Sequence, residues 1–224
     1  MIENLSNITS ATPISECIRC GTCCKKGGPS FHIEDKYLIE KGIILSKYLY
    51  TIRKGEPAYD NVKKHILPAA TDIIKIKGQK GSWACIFFDK KNNNCRIYKK
   101  RPIECKVLKC WDTREIEKLY SKNRLTRKDL LSKVNGLWDL IEDHHSHCSY
   151  EKIKRLVEII NKDKKNALEG LKDIIWYDTR FRLLITEKGK IEPEMVDFLF
   201  GRPLTETIKM FGFKVKQENG RIME

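Results

Sequence analysis

The chain has 224 residues, 41% of them apolar and 33% charged, with eight Phe, eight Tyr and four Trp, which is enough apolar area to bury a core and excludes an intrinsically disordered chain. No run approaches the roughly 18 uncharged apolar residues of a membrane span, and the opening MIENLSNITS has neither the basic nor the apolar region of a secretory signal. The expectation is a cytoplasmic protein of formal charge +14 with no membrane partner.

Between Pro29 and Tyr50 the chain predicts a short helix starting near Glu34 and Asp35, stopped by Gly42 and followed by another. From Thr71 the texture changes to β-type runs, IIKI, WACIFF and CRIY, separated by the turn-rich spacers KGQKGS and DKKNNN, a pattern of hairpins in a small antiparallel sheet. Pro102 suits the first position of a short helix carrying IECKVLKCW. Thr126 followed by Asp129 reads as a capping box for a helix with Leu131, Val134, Trp138 and Ile141 on one face. Ser149 is placed to cap the next helix, with its stripe of Ile153, Leu156, Val157 and Ile160, and Leu168, Leu171 and Ile175 continue the pattern. A last helix is expected from Pro193 to about Gly201. The fold class is therefore α+β: a cysteine-bearing region, residues 1–112, with a small antiparallel sheet, packed as one unit against the helical residues 113–224.

Charge and sulfur travel together. The first 110 residues carry a net +11 and eight of the nine cysteines, and the remainder carries only +3. In a reducing compartment clustered cysteines are metal ligands more often than disulfide partners. Four thiolates around Zn²⁺ or a [4Fe–4S] core add formal negative charge, so part of the basic excess balances such a site. The rest attracts polyanions, which leaves nucleic acid as a partner beside an unidentified protein or small molecule.

The segment CIRCGTCCK sets Cys17, Cys20, Cys23 and Cys24 within eight residues, and Cys85, Cys95, Cys105 and Cys110 follow at distance. In C-x2-C-x2-C each two-residue gap lets the loop curl and aim successive sulfurs at one centre, with Gly21 easing the turn. The distal gaps form no second zinc knuckle, which favours an iron–sulfur cluster on Cys17, Cys20, Cys23 and one distal thiol over a pair of zinc ribbons. Adjacent side chains tend to diverge, so Cys24 is expected to serve a second centre, bridge two metals or stay free. Cys85 and Cys95 flank the expected hairpin. Cys105 and Cys110 are five apart and out of line at 3.6 residues per turn, a spacing that lets one of them miss the ligand set.

CIRCGTCCK, WACIFF and CRIYKKRPIECKVLKC together resemble the YkgJ cysteine-cluster family, whose pattern runs CxxCGxCC, a Cys–aromatic strand, C-x-I-Y and an R-P-x-x-C turn. The resemblance covers roughly residues 14–112. It implies zinc or iron chelation by Cys17, Cys20, Cys23, Cys24, Cys85, Cys95 and Cys105, with Cys110 as an eighth ligand. Lys25 and the Val107–Leu108 pair depart from the family's usual residues. Flagellin lysine N-methylases carry a related cluster, so the resemblance also admits a protein-methylating role, although no Gly-rich turn for its cofactor is present. Nor does the chain contain G-x-G-x-x-G, a Walker loop, G-x-S-x-G or H-E-x-x-H.

At HHSHC, His144 and Cys148 stand four apart and can share a helix face as metal ligands, or form a solvated helix end favoured by the carboxyl-terminal dipole. Arg96, Lys99, Lys100 and Arg101 surround the distal cysteines, near Trp83 and Tyr98, where they can tune thiolates or contact phosphate. The leading expectation is an iron–sulfur protein with a redox, cluster-handling or cluster-assisted role. The alternatives are a Zn²⁺-stabilised module binding nucleic acid or an acidic protein, and a lysine methylase-like enzyme.

Overall fold

The structure is a computed structural model that describes residues 17–216 and 221–223; the opening segment read for a secretory signal lies outside them. Helices and small antiparallel sheets coexist, so the fold is α+β. Among the described residues no helix is long and apolar enough to cross a membrane.

The amino-terminal half holds α1 (Thr22–Lys25), α2 (Lys36–Glu40), β1 (Leu49–Ile52), β2 (Pro57–Asp60), β3 (His65–Pro68), β4 (Ile73–Ile76), β5 (Phe88–Asp89), β6 (Asn94–Cys95) and α3 (Ile103–Val107). Then come α4 (Arg114–Leu119), α5 (Arg127–Leu131), α6 (Leu137–His147), α7 (Tyr150–Ile159), α8 (Lys164–Glu187), α9 (Val196–Phe200), α10 (Leu204–Thr207), β7 (Lys214–Lys216) and β8 (Arg221–Met223). The four ladders among the described residues are antiparallel: β1 with β4, β2 with β3, β5 with β6 and β7 with β8.

The β1–β4 pair is the platform for everything else. It runs in register from Leu49 opposite Ile76 to Ile52 opposite Ile73. On the far edge of β4 the extended Phe31 donates its N–H to the Ile74 carbonyl at 2.9 Å and accepts from Leu125 N–H at 3.1 Å. The edge of the ladder is thereby covered rather than left open. Against it packs α9, whose sequence VDFLF buries Val196, Phe198, Leu199 and Phe200, and Thr51 Oγ1 donates to the Phe198 carbonyl at 2.6 Å. The larger core therefore joins Phe31, Ile74, Ile76 and Phe88 to Ile141 and Phe198 from the other half, each such side chain stabilising by about 1.5–3 kcal/mol relative to exposure. A second core, around Tyr150, Ile153, Leu171, Leu204 and Ile208, seals α7 against α8 and α10.

Several local expectations hold for their stated physical reasons. Thr126 and Asp129 form the reciprocal capping box of α5, Ser149 Oγ accepts the Lys152 amide at the start of α7, and Pro193 opens the turn leading into α9, which ends at Gly201. Three differ. The helix expected across Leu131–Ile141 is two helices, because Gly136 enters α6 in the left-handed conformation at φ 74°. WACIFF and CRIY contribute only Phe88 and Cys95 to a ladder, with Cys85 in an isolated bridge to Gly78. The helix after Pro102 stops at Val107, since Leu108 is extended, and it does not reach Cys110. The hairpin β2–β3 went unseen in the sequence because its residues are half-exposed or exposed along both strands and show no alternation.

Candidate metal centre

A single turn places Cys20, Cys23 and Cys24. Gly21 is left-handed, and a β-carbon there would stand 2.5 Å from Phe88 Cζ and 2.7 Å from Asn93 Oδ1, so only glycine lets this turn lie on the β5–β6 hairpin. Lys25 N–H closes α1 onto the Gly21 carbonyl at 2.9 Å, and Cys85 N–H donates to the Cys24 carbonyl at 2.8 Å. That backbone bond ties the amino-terminal motif to the distal thiols. Asn93 Nδ2 adds a second tie, donating to the Arg19 carbonyl at 3.1 Å.

The remaining thiols are held by polar joints that sequence reasoning missed. Cys95 lies in β6 opposite Phe88. Cys105 sits on α3, whose first free amide, Ile103 N–H, is accepted by Asp35 Oδ1 at 2.8 Å, while Asp35 Oδ2 accepts His32 N–H at 3.1 Å. A carboxylate from the α2 segment thus caps the cysteine-bearing helix. The neighbouring Glu104 accepts Ser30 N–H at 2.6 Å and meets His32 Nε2 at 3.1 Å, and Lys75 Nζ donates to Ser30 Oγ at 3.2 Å. Burial pushes the Glu104 carboxyl up, but His32, Lys75, the Ser30 amide and Arg124 together hold it below its ordinary value. The only signal in the sequence was adjacency to Cys105 in the RPIEC turn.

The thiols interact electrostatically as a set. The Cys23 thiol is lowered to about 6, first by a hydrogen bond from Cys24 and then by the Arg101 guanidinium among other causes. Cys24 correspondingly keeps its proton: Cys23 first and then burial push its thiol up, with Cys95 and Cys105 adding to the effect. Burial raises Cys85, Cys95 and Cys105, and each of the three also feels neighbouring thiols of the set. Cys20 is lowered by its hydrogen bond to the Thr22 hydroxyl. Two cations act on the set: Lys75 on Cys85 and Cys105, and Arg101 on Cys23 and Cys95, each favouring the thiolate that a metal requires. Cys23 and Cys24 lie on one helical turn, not in the extended or irregular segment for which divergence was expected.

Of the eight predicted cysteines, Cys20, Cys23, Cys24, Cys85, Cys95 and Cys105 are thus brought together. Cys17 is exposed at the edge of the described chain, and Cys110 is exposed in the turn bridged by Lys109 and Asp112. Among the described residues no three thiols of this set lie within 4.8 Å of one another, whereas sulfurs sharing one tetrahedral zinc at 2.3 Å stand about 3.8 Å apart. The donor chemistry fits zinc or iron: soft thiolates, balancing cations beside them, and a rigid scaffold beneath.

His144 and Cys148 do meet, joined by Asp178, with donor atoms of the three within 4.8 Å and all three buried. His144 Nε2 bonds Asp178 Oδ1 at 2.8 Å, Arg182 Nε donates to the same oxygen at 2.9 Å, and Leu204 N–H donates to Oδ2 at 2.9 Å. The solvated-end expectation therefore fails for His144 and Cys148, while Ser146 and His147 are exposed and His147 stacks on Tyr177. Asp178, inside α8, carried no signal in the sequence; it joins α6, α8 and α10.

No curated protein and no solved structure matches the chain. A family model does, over residues 16–127, and that span contains every thiol of the cluster. The chain belongs to the CxxCxxCC family, described as a "putative zinc- or iron-chelating domain".

Proposed function

We propose that this metal-chelating chain holds a polynuclear iron–sulfur centre, with Cys17, Cys20 and Cys23 as the first ligands and a distal thiol from Cys85, Cys95 or Cys105 completing it, in a redox or cluster-handling role. The observation that carries this reading is the C-x2-C-x2-C turn tied to the distal thiols, with Cys85 N–H on the Cys24 carbonyl at 2.8 Å, so that cysteines of three separate segments belong to one scaffold. When bound, such a centre supplies reversible one-electron chemistry. The protein's own part is to keep the sulfurs together on α1, the hairpin and α3, and to offset their charge with Lys75 and Arg101. Iron and acid-labile sulfide analysis of anoxically prepared protein tests this: comparable iron and sulfide with a broad visible absorption band supports it, and colourless protein with stoichiometric zinc overturns it.

A second reading, a zinc-stabilised module gripping nucleic acid, draws on the basic run Arg96–Arg101 and on Trp83, which is 77% exposed. Steep loss of oligonucleotide retention with salt, on zinc-loaded protein, supports it.

A further inference from the structure

Beside the thiols, two contiguous hollows of about 290 and 510 Å³ share Cys95, Arg96 and Tyr98 in their walls. Arg19 and Asn94 complete the smaller one, and no carboxylate lines either. Arg19 adopts the left-handed region, φ 56°, a conformation that side chains with a β-carbon avoid. Its carbonyl is fixed there by Asn93, and its guanidinium packs 4.4 Å from the centre of the Tyr98 ring, which Arg101 also covers at 3.9 Å. Asp89, on whose carboxyl Arg96 acts weakly, has its oxygens engaged by Lys91 N–H and Asn92 Nδ2 in the hairpin turn. A strained arginine, a second arginine and a thiol of the metal set therefore face one small polar space.

We propose that this hollow binds a small oxyanion-bearing molecule, phosphate or carboxylate in chemistry, directly beside the metal centre through Arg19 and Arg96. Guanidinium forks pair with such groups bidentately. A small ligand is favoured over nucleic acid because Tyr98, the aromatic of the hollow, is already covered by two guanidiniums and offers no free platform for stacking a base. The adjacency to the centre rests on the functional reading above; the anion site itself does not.

The test is calorimetric titration of the metal-loaded protein with pyrophosphate and, separately, citrate at fixed ionic strength, with the visible spectrum followed in parallel. Saturable one-to-one binding, weakened at least tenfold in Arg96→Gln and in Arg19→Gln but unchanged in the remote surface control Lys172→Gln, is expected. Both arginines are exposed, so neither variant threatens folding. Absence of saturable binding, or equal binding by Arg96→Gln, overturns the proposal. So does displacement by a single-stranded oligonucleotide whose affinity falls equally in Arg96→Gln and Lys172→Gln, which marks a diffuse nucleic-acid face. A spectral shift on binding establishes contact with the centre. Binding to colourless, zinc-loaded protein would leave the anion site standing and remove the iron–sulfur reading.

Discussion

Cysteine occupies two physical settings in this chain. In the amino-terminal cluster Cys20 and Cys23 are exposed and lowered, Cys23 to about 6, while Cys24, Cys85, Cys95 and Cys105 are half-buried or buried and raised, and the cations Lys75 and Arg101 act on the set. Cys148 is wholly buried in the second core; burial pushes its thiol up to about 12, with the Asp178 carboxylate raising it further and Arg53 opposing. Thiolate is the form that binds metal, so Cys20 and Cys23 are the thiols readiest to ligate. What separates the raised thiols of the cluster from Cys148 is that they stand in a set of thiols, whereas Cys148 is the lone thiol among the described residues of the second core. The same contrast runs through the acids: Glu104 and Asp35 hold the elements that present thiols, whereas Asp178 holds helices together.

The largest effect expected from breaking this contrast is on metal content. Cys105→Ala removes a central thiol of the set and is expected to abolish stoichiometric metal loading, measured by elemental analysis, while Cys148→Ala leaves loading unchanged. Equal loss in both variants would erase the distinction. Asp178→Ala is next, because it strands half-buried Arg182 and buried His144 without their carboxylate, a change worth about 3–5 kcal/mol that should appear in urea unfolding and not in metal stoichiometry.

Acid sharpens the comparison further. Burial chiefly lowers His144 to about 4 from its ordinary 6.5, with Arg53 adding to the effect and the Asp178 hydrogen bond opposing. Between those values the unfolded chain holds a proton there that the folded chain does not, so stability rises with pH across this window and is lost as pH falls from about 6.5 toward 4. The loss approaches ~3 kcal/mol, and His144→Gln should flatten most of it in urea midpoints measured at pH 7 and pH 5; His145, also lowered by burial, contributes in the same direction. Asp35→Ala uncaps α3 and should cost about 1–2 kcal/mol, and because that helix presents Cys105 it should also weaken metal affinity about 10–100-fold. The smallest effect is Thr126→Ala, about 1 kcal/mol through the α5 cap alone, with metal content unaltered.

Local signals were legible wherever one short stretch of chain decides the outcome. The Thr126–Asp129 box, the Ser149 cap and the Pro193–Gly201 helix needed only near neighbours in sequence. The cysteine run was legible as a metal-chelating motif, as the family match over residues 16–127 bears out, although Cys17 stands exposed apart from the thiols it was expected to join. Asp178, Asp35 and Lys75 were not, because a carboxylate or an ammonium inside a segment looks solvated until its distant partner is known. WACIFF and CRIY were overread for a related reason: β-type composition does not say whether a neighbouring strand is available to pair along its whole length.

By itself the sequence determined that eight thiols and a basic excess share the first half of the chain, that the second half is helical, and that the motif belongs to a metal-chelating pattern. Composition and spacing suffice for those because they depend on residue type and on contacts a few positions apart. Only the tertiary structure decided that Cys85, Cys95 and Cys105 stand with the amino-terminal turn while Cys17 and Cys110 remain exposed, and that His144 and Cys148 belong to a buried joint. Those outcomes hang on long-range closures, such as Cys85 N–H to Cys24 and Asp35 to Ile103, whose free energy exists only once the intervening chain has folded.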